Sequence, residues 1–263
     1  MKLIAHAAVA LLACGLVAQS GKPPASPATA AYEKIVAEWK ATTDAYSAAV
    51  KALTNSDEYK KAIEDKDRDA LNKLRSTVPM PDAKPLAERC LETAATFDGD
   101  DRVQFYAWAL QNGAKDVAAK AAESLLADHV KSPKLLSVVE SGSMLLRSLG
   151  QEGGQAFLAK IAEENPNAEI RAYALFWPAY MASRDKNASD EAKEAAAAKI
   201  AEARTLAEGT MLADRIDAPK FIEERLQIGM EAPDIVGEDV DGVPFKLSDY
   251  RGKVVVIDFW GFW

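Results

Sequence analysis

The sequence predicts a mainly α-helical N-terminal domain followed by the N-terminal fragment of a separate α/β domain. Three observations carry this. From about Ala30 to Arg225, apolar residues recur three and four positions apart, the spacing of one helix face. Past Ile228 that spacing stops, and short β-branched runs separated by glycine turns replace it. The 263 residues, 49% hydrophobic and 27% charged, suit one large or two ordinary soluble domains. A formal net charge of −8 argues against nucleic acid or an anionic membrane as the main partner.

Residues 1–20 read as a targeting segment. Lys2 precedes an apolar run, Leu3 to Val17, that is short for a membrane span. Ala18-Gln19-Ser20 offers small residues for cleavage after Ser20. Leu11-Leu12-Ala13-Cys14 also has the order of a lipoprotein box, and a retained anchor is a third reading. All three place the mature protein outside the cytoplasm, in the periplasm or cell envelope. Residues 21–31, with Pro23, Pro24 and Pro27, read as a flexible linker.

Residues 32–227 form the expected helical domain. Tyr32, Ile35, Val36 and Trp39, then Tyr46, Val50 and Leu53, mark its first helical stretch. Ser56 caps a second helix that runs towards Leu74. Pro79 and Pro81 interrupt the chain, and Pro85 sits in the first turn of the next helix. Helix pairs then open near Asp100, Pro133 and Asn167, about 33 to 34 residues apart, a length that suits stacked helical hairpins. Asn112-Gly113, Gly150 with Gly153-Gly154, and Asp185 to Ser189 punctuate the pairs. Glu169 to Leu175 resembles the second helix of HEAT-type repeats, whereas the small-residue pattern of tetratricopeptide repeats is not met. Glu191 to Glu208, rich in Ala, Glu and Lys, is a strong helix former. Pro219 is expected to open a last short helix ending near Gln227.

Chemistry-bearing residues are scarce in this domain. The cysteines are Cys14 and Cys90, and cleavage after Ser20 leaves Cys90 alone. Cys90 lies in a helical pattern and reads as a small packing residue; a reactive thiol or an intermolecular bridge is the alternative. His129, the one histidine beyond the targeting segment, reads as a helix-end residue without metal-ligand spacing around it. Asn187-Ala188-Ser189 is a formal glycosylation sequon in a polar loop. No metal and no cofactor is expected.

Residues 228–263 change character. Ile228 to Ile235 leads into a hairpin whose turn is Asp241-Gly242, between Ile235-Val236 and Val243 to Phe245. Asp239-x-Asp241-Gly242 starts like a calcium loop but lacks its third ligand pair and closing glutamate, and reads as a turn. Leu247 to Lys253 reads as a short turn or helical loop. Val254 to Phe259 is apolar and β-branched with almost no alternation, which predicts a strand covered on both faces. Asp258 inside such a run is costly without a purpose.

Taken in order, Gly229, Ala232-Pro233-Asp234, Asp241-Gly242, Phe245, Leu247-Ser248-Asp249, Arg251-Gly252-Lys253 and Asp258-Phe259-Trp260 resemble the start of a thioredoxin-like domain of the redoxin type. The resemblance is to thiol-disulfide oxidoreductases of the TlpA/ResA kind, grouped with the alkyl hydroperoxide reductase/thiol-specific antioxidant families. It implies that Asp258 sits beneath a redox pair and moves protons. It implies that Trp263 precedes the nucleophile and shapes the substrate surface, and that Trp260 supports the site. The nucleophile is expected at position 264, as the first residue of a Cys-x-x-Cys pair. There a helix N-terminus would stabilise thiolate. The resemblance also implies disulfide-containing proteins or a small oxidant as substrate, with an exported or membrane reductant.

No catalytic residue is therefore expected among positions 1–263, and the fragment by itself is expected to be inactive. Three readings of the ending at Trp263 stand side by side: a UGA codon decoded as selenocysteine, a frameshift or contig edge, and a genuinely short product. Left uncovered, Val254 to Trp263 would be an aggregation hazard. The function expected of the intact product is exported thiol- or selenol-disulfide exchange. The alternatives are a non-enzymatic helical scaffold with a dead redoxin remnant, and a peroxiredoxin-like peroxidase.

Overall fold

The computed structural model describes residues 26–258. The targeting segment, Cys14, Trp260 and Trp263 lie outside the described residues. Helix α1 (Pro27–Asn55) starts inside the stretch expected to be a linker. Ser26 caps it by accepting from the Thr29 N–H at 3.1 Å, and Pro27 needs no N–H partner at the first helical position. The following short helices are α2 (Asp57–Glu64) and α3 (Arg68–Ser76). They replace the single helix expected after Ser56. Ser56 does cap α2, but Lys66 takes a left-handed φ of 55° and Asp67 caps a fresh start. No glycine marks this break, so residue type alone did not announce it.

Helix α4 (Lys84–Ala94) has Pro85 in its first turn, as expected. A 3-10 turn at Gly99–Arg102 then leads into α5 (Val103–Asn112), and α6 (Lys115–Asp128) follows Gly113. A second 3-10 turn at Pro133–Leu135 leads into α7 (Leu136–Val139), α8 (Gly142–Ser148) and α9 (Gly150–Glu164). Next come α10 (Ala168–Ser183) and α11 (Asp190–Leu206), capped by Asn167 and Ser189. Helices α5 with α6, α8 with α9, and α10 with α11 lie against each other, and α6 and α10 both touch α9. Layers of helical hairpins result, each burying an apolar face on the next.

The core gathers on α5 and α10, which read as apolar nearly all round because neighbours surround them. Phe105, Ala109 and Leu110 of α5 are fully buried, as are Ile170 and Ala172 of α10. Tyr32 meets Phe105 edge-on at 5.6 Å, and Trp39 meets Trp108 at 6.0 Å, tying α1 to this core.

Helix α12 (Met211–Arg225) corrects the sequence reading. It begins eight residues before Pro219, after Gly209 turns the chain with a φ of 78°. Leu212 and Ala213 anchor its first turn in the core, and Pro219 lies on the exposed side. There the missing N–H and the ring are tolerated inside a helix.

Beyond α12 lie β1 (Val236–Glu238) and β2 (Pro244–Lys246), an antiparallel pair in the register Val236↔Lys246, Gly237↔Phe245, Glu238↔Pro244. Gly242 takes a φ of 77° in the turn. A 3-10 turn at Leu247–Tyr250 follows. The expected two-sided burial from Val254 onward is not seen in the described part of that run. Val254 to Asp258 is irregular in hydrogen bonding, with Val254 98%, Val255 43%, Val256 90% and Ile257 47% exposed. The alternation is that of an extended chain whose side chains point to opposite sides. Only one side meets other residues, because the two-stranded hairpin is the sole sheet among the described residues.

Candidate functional site

The motif residues of the C-terminal segment converge on one small structure. Asp234 and Ser248 are the hinge of it: the Ser248 N–H and hydroxyl each donate to the Asp234 carboxylate at 2.8 Å. These bonds hold the Asp234 carboxyl below the usual carboxylate range, the hydroxyl bond contributing most. The Leu247 N–H donates to the Ile235 carbonyl at 2.9 Å, extending the tie. Asp249 accepts from the Lys246 N–H at 2.9 Å, and Arg251 pairs with Glu231 at 2.6 Å. Asp239 accepts from the N–H groups of Asp241 and Val243, both at 2.9 Å. That carboxylate closes a turn and is spent on backbone.

An open cleft of about 560 Å³ lies over this structure, bounded by Pro233, Leu247, Tyr250, Val255 and Ile257, with Arg225 at the end of α12. The half-covered side of the Val254 run thus faces the Ala232-Pro233-Asp234 segment. Asp258 is exposed at the edge of the described residues. Trp260 and Trp263, the other two residues expected to support the site, lie outside the described residues.

The cleft holds acidic, basic and hydroxyl side chains but no thiol. Cys90, the one cysteine among the described residues, lies on α4 and is fully buried. Burial pushes its thiol up to about 12, so thiolate is not available near neutral pH. His129 ends α6, as expected, but it is buried, and its Nδ1 lies 3.2 Å from Asp100 Oδ1. The helix-end residue thus also has a carboxylate partner. Asp100 stands 29 positions away, so no local pattern in the sequence signals the pair. The Asp234–Ser248 tie was hidden for the same reason. Each motif reads as a separate loop signal until the hairpin brings the two together. Among the described residues no group of three or more His, Cys, Asp or Glu side chains is placed to hold a metal.

No helix among the described residues is long and apolar enough to cross a membrane. No family model matches the chain, and no solved structure does. Curated relatives match a short stretch. It is 46% identical over 41 residues to the thiol-disulfide oxidoreductase ResA of Bacillus thuringiensis subsp. konkukian, covering 16% of this chain and 24% of that protein. It is 53% identical over 36 residues to ResA of Geobacillus kaustophilus, covering 14% and 21%. ResA of Bacillus subtilis is 44% identical over 41 residues, covering 16% and 23%. The chain thus spans about a quarter of the length of the curated relatives it matches. The shared stretch is similar to part of a thiol-disulfide oxidoreductase, and more than four-fifths of this chain lies outside the similarity.

Proposed function

We propose that residues 228–263 open a thioredoxin-like thiol-disulfide oxidoreductase domain of the redoxin type, carried by an exported helical domain. The observation that carries the reading is the similarity to ResA of 44–53% over a stretch of 36 to 41 residues. That length suits the ordered motifs from Ile228 to Trp263. The Asp234–Ser248 tie supports it by joining two of those motifs in one fold.

The chemistry needs a nucleophile that the described residues lack. It belongs at the position after Trp263, as cysteine or selenocysteine, with a cysteine three residues on. The thiolate or selenolate attacks one sulfur of a substrate disulfide and expels the other as thiolate. The second cysteine then attacks the mixed bond, releasing the reduced substrate and leaving the enzyme's pair oxidised. An exported or membrane dithiol reductant must restore the pair. Asp258 would carry protons to and from it, and Trp260 and Trp263 would shape its surroundings. The substrates would be disulfide-bonded proteins or a small oxidant.

The test is to read the locus beyond Trp263, express the whole frame, and assay dithiol-dependent reduction of insulin disulfides. An in-frame Cys or Sec-x-x-Cys whose first residue is essential supports the reading. A frame with no such pair, or one that is inert when folded, overturns it in favour of a helical scaffold. That second reading draws on the core shared by α1 and α4 to α12, which closes without residues from the C-terminal segment.

A further inference from the structure

We propose that the groove between α10, α11 and α12 binds an apolar peptide segment bearing a carboxylate. This stands apart from the redox reading, since every residue involved belongs to the helical domain. The groove has a volume of about 490 Å³. Trp177, Tyr180, Ile216 and Ile222 supply its apolar walls, and Ser183 and Arg215 its polar contacts. Apolar walls with few, placed polar groups are the mark of a recognition cleft.

Its charge selects the occupant. The Arg215 guanidinium lies 5.3 Å from the Trp177 ring centroid, so its position is set by a cation–π contact. No ion pair among the described residues uses Arg215. In a chain of net charge −8 this is a positioned cation with no carboxylate of its own. A carboxylate from outside, with apolar neighbours on the aromatic wall, completes both halves of the site.

The length of the exposed surface favours a peptide over a compact molecule. Ile222 on α12 and Leu226 just past its end, each 50% exposed, carry the apolar surface beyond the groove. They run towards the start of the C-terminal segment. An extended or helical segment can cover groove and surface at once.

The full chain would be titrated, by fluorescence anisotropy, with a labelled ten-residue Leu/Phe peptide carrying one central Glu, and with its Gln and Lys counterparts. The Glu peptide should bind about tenfold more tightly than the Gln peptide and the Lys peptide least. Arg215→Gln should remove the preference and leave Gln-peptide binding in place. Ile222→Asp, a surface change that keeps the helical circular dichroism, should weaken all three. Equal affinity for the three peptides, or no binding by a folded chain, overturns the proposal. So does self-association that Ile222→Asp abolishes, because a second copy would then occupy the groove.

Discussion

Ser248 gives both its backbone N–H and its hydroxyl to the carboxylate of Asp234, at 2.8 Å each, across 14 positions of sequence. Between these two residues lie β1, its turn and β2, so the pair closes the hairpin at its open end. The C-terminal segment has no large core of its own. Directional bonds of this kind therefore carry much of its order.

Asp234→Ala should free that end of the hairpin and leave the helical domain intact. Hydrogen exchange at Leu247 and Ser248 should quicken, while the thermal midpoint of the helices stays put. In the unaltered chain the tie depends on pH. Because the folded carboxyl titrates below its ordinary range, its contribution is complete above that range and is lost as pH falls through the lowered value. Exchange at the Ser248 amide, corrected for intrinsic rate, should show this loss only in acid.

Cys90 should be silent to a thiol reagent in the native chain at pH 8 and react fully once the chain is denatured. Its thiol titrates near 12 when folded, so the unfolded chain loses this proton first. The stability it contributes is present below the ordinary thiol range and falls as pH climbs from that range towards the folded value. Cys90→Ser buries a hydroxyl among apolar side chains and should cost about 1–3 kcal/mol, read as a lower thermal midpoint.

Gly142→Ala reverses a familiar expectation. In an exposed helix the change would stabilise by up to about 1 kcal/mol. Here a Cβ at 142 would stand 2.2 Å from Trp177 Cδ1, so the largely buried indole or one of the two helices must shift. Overpacking of this kind costs about 1–3 kcal/mol. A calorimetric scan should show a lower midpoint, and an unchanged or higher one would refute the close approach of α8 to α10.

Asn165 is buried just past α9, and its Nδ2 donates to the carbonyls of Val130 at 2.7 Å and Ser132 at 3.2 Å. It locks the loop that follows α6 to the end of α9. Asn165→Asp turns that donor into an acceptor facing two carbonyls. It should destabilise more than Asn165→Ala, which costs about 1–3 kcal/mol through the unpaired carbonyls. Chemical denaturation of the two variants gives the order.

Helix boundaries with a local signature were legible. Ser56, Asn167 and Ser189 each cap the helix that follows, because a side-chain oxygen satisfies amides two or three residues away. The Asp241-Gly242 turn was legible for the same reason, since only the flanking residues set its backbone. The break at Lys66 and the start of α12 at Met211 were not. A left-handed lysine and a proline inside a helix both go against residue preference, and packing elsewhere sustains them.

By itself the sequence determined the helical character up to Arg225, the change of character at Ile228 and the order of the redoxin-like motifs. All three follow from periodicity and short-range chemistry. Tertiary structure alone decided that Cys90 is sealed in the core, that His129 faces Asp100, and that Gly142 admits the Trp177 ring. It also decided that Arg215 lies beside an aromatic groove and that Val254 and Val256 stand uncovered. Each of these depends on which helices and loops come to lie side by side. Contacts between residues tens of positions apart leave no mark in the local spacing that a sequence displays.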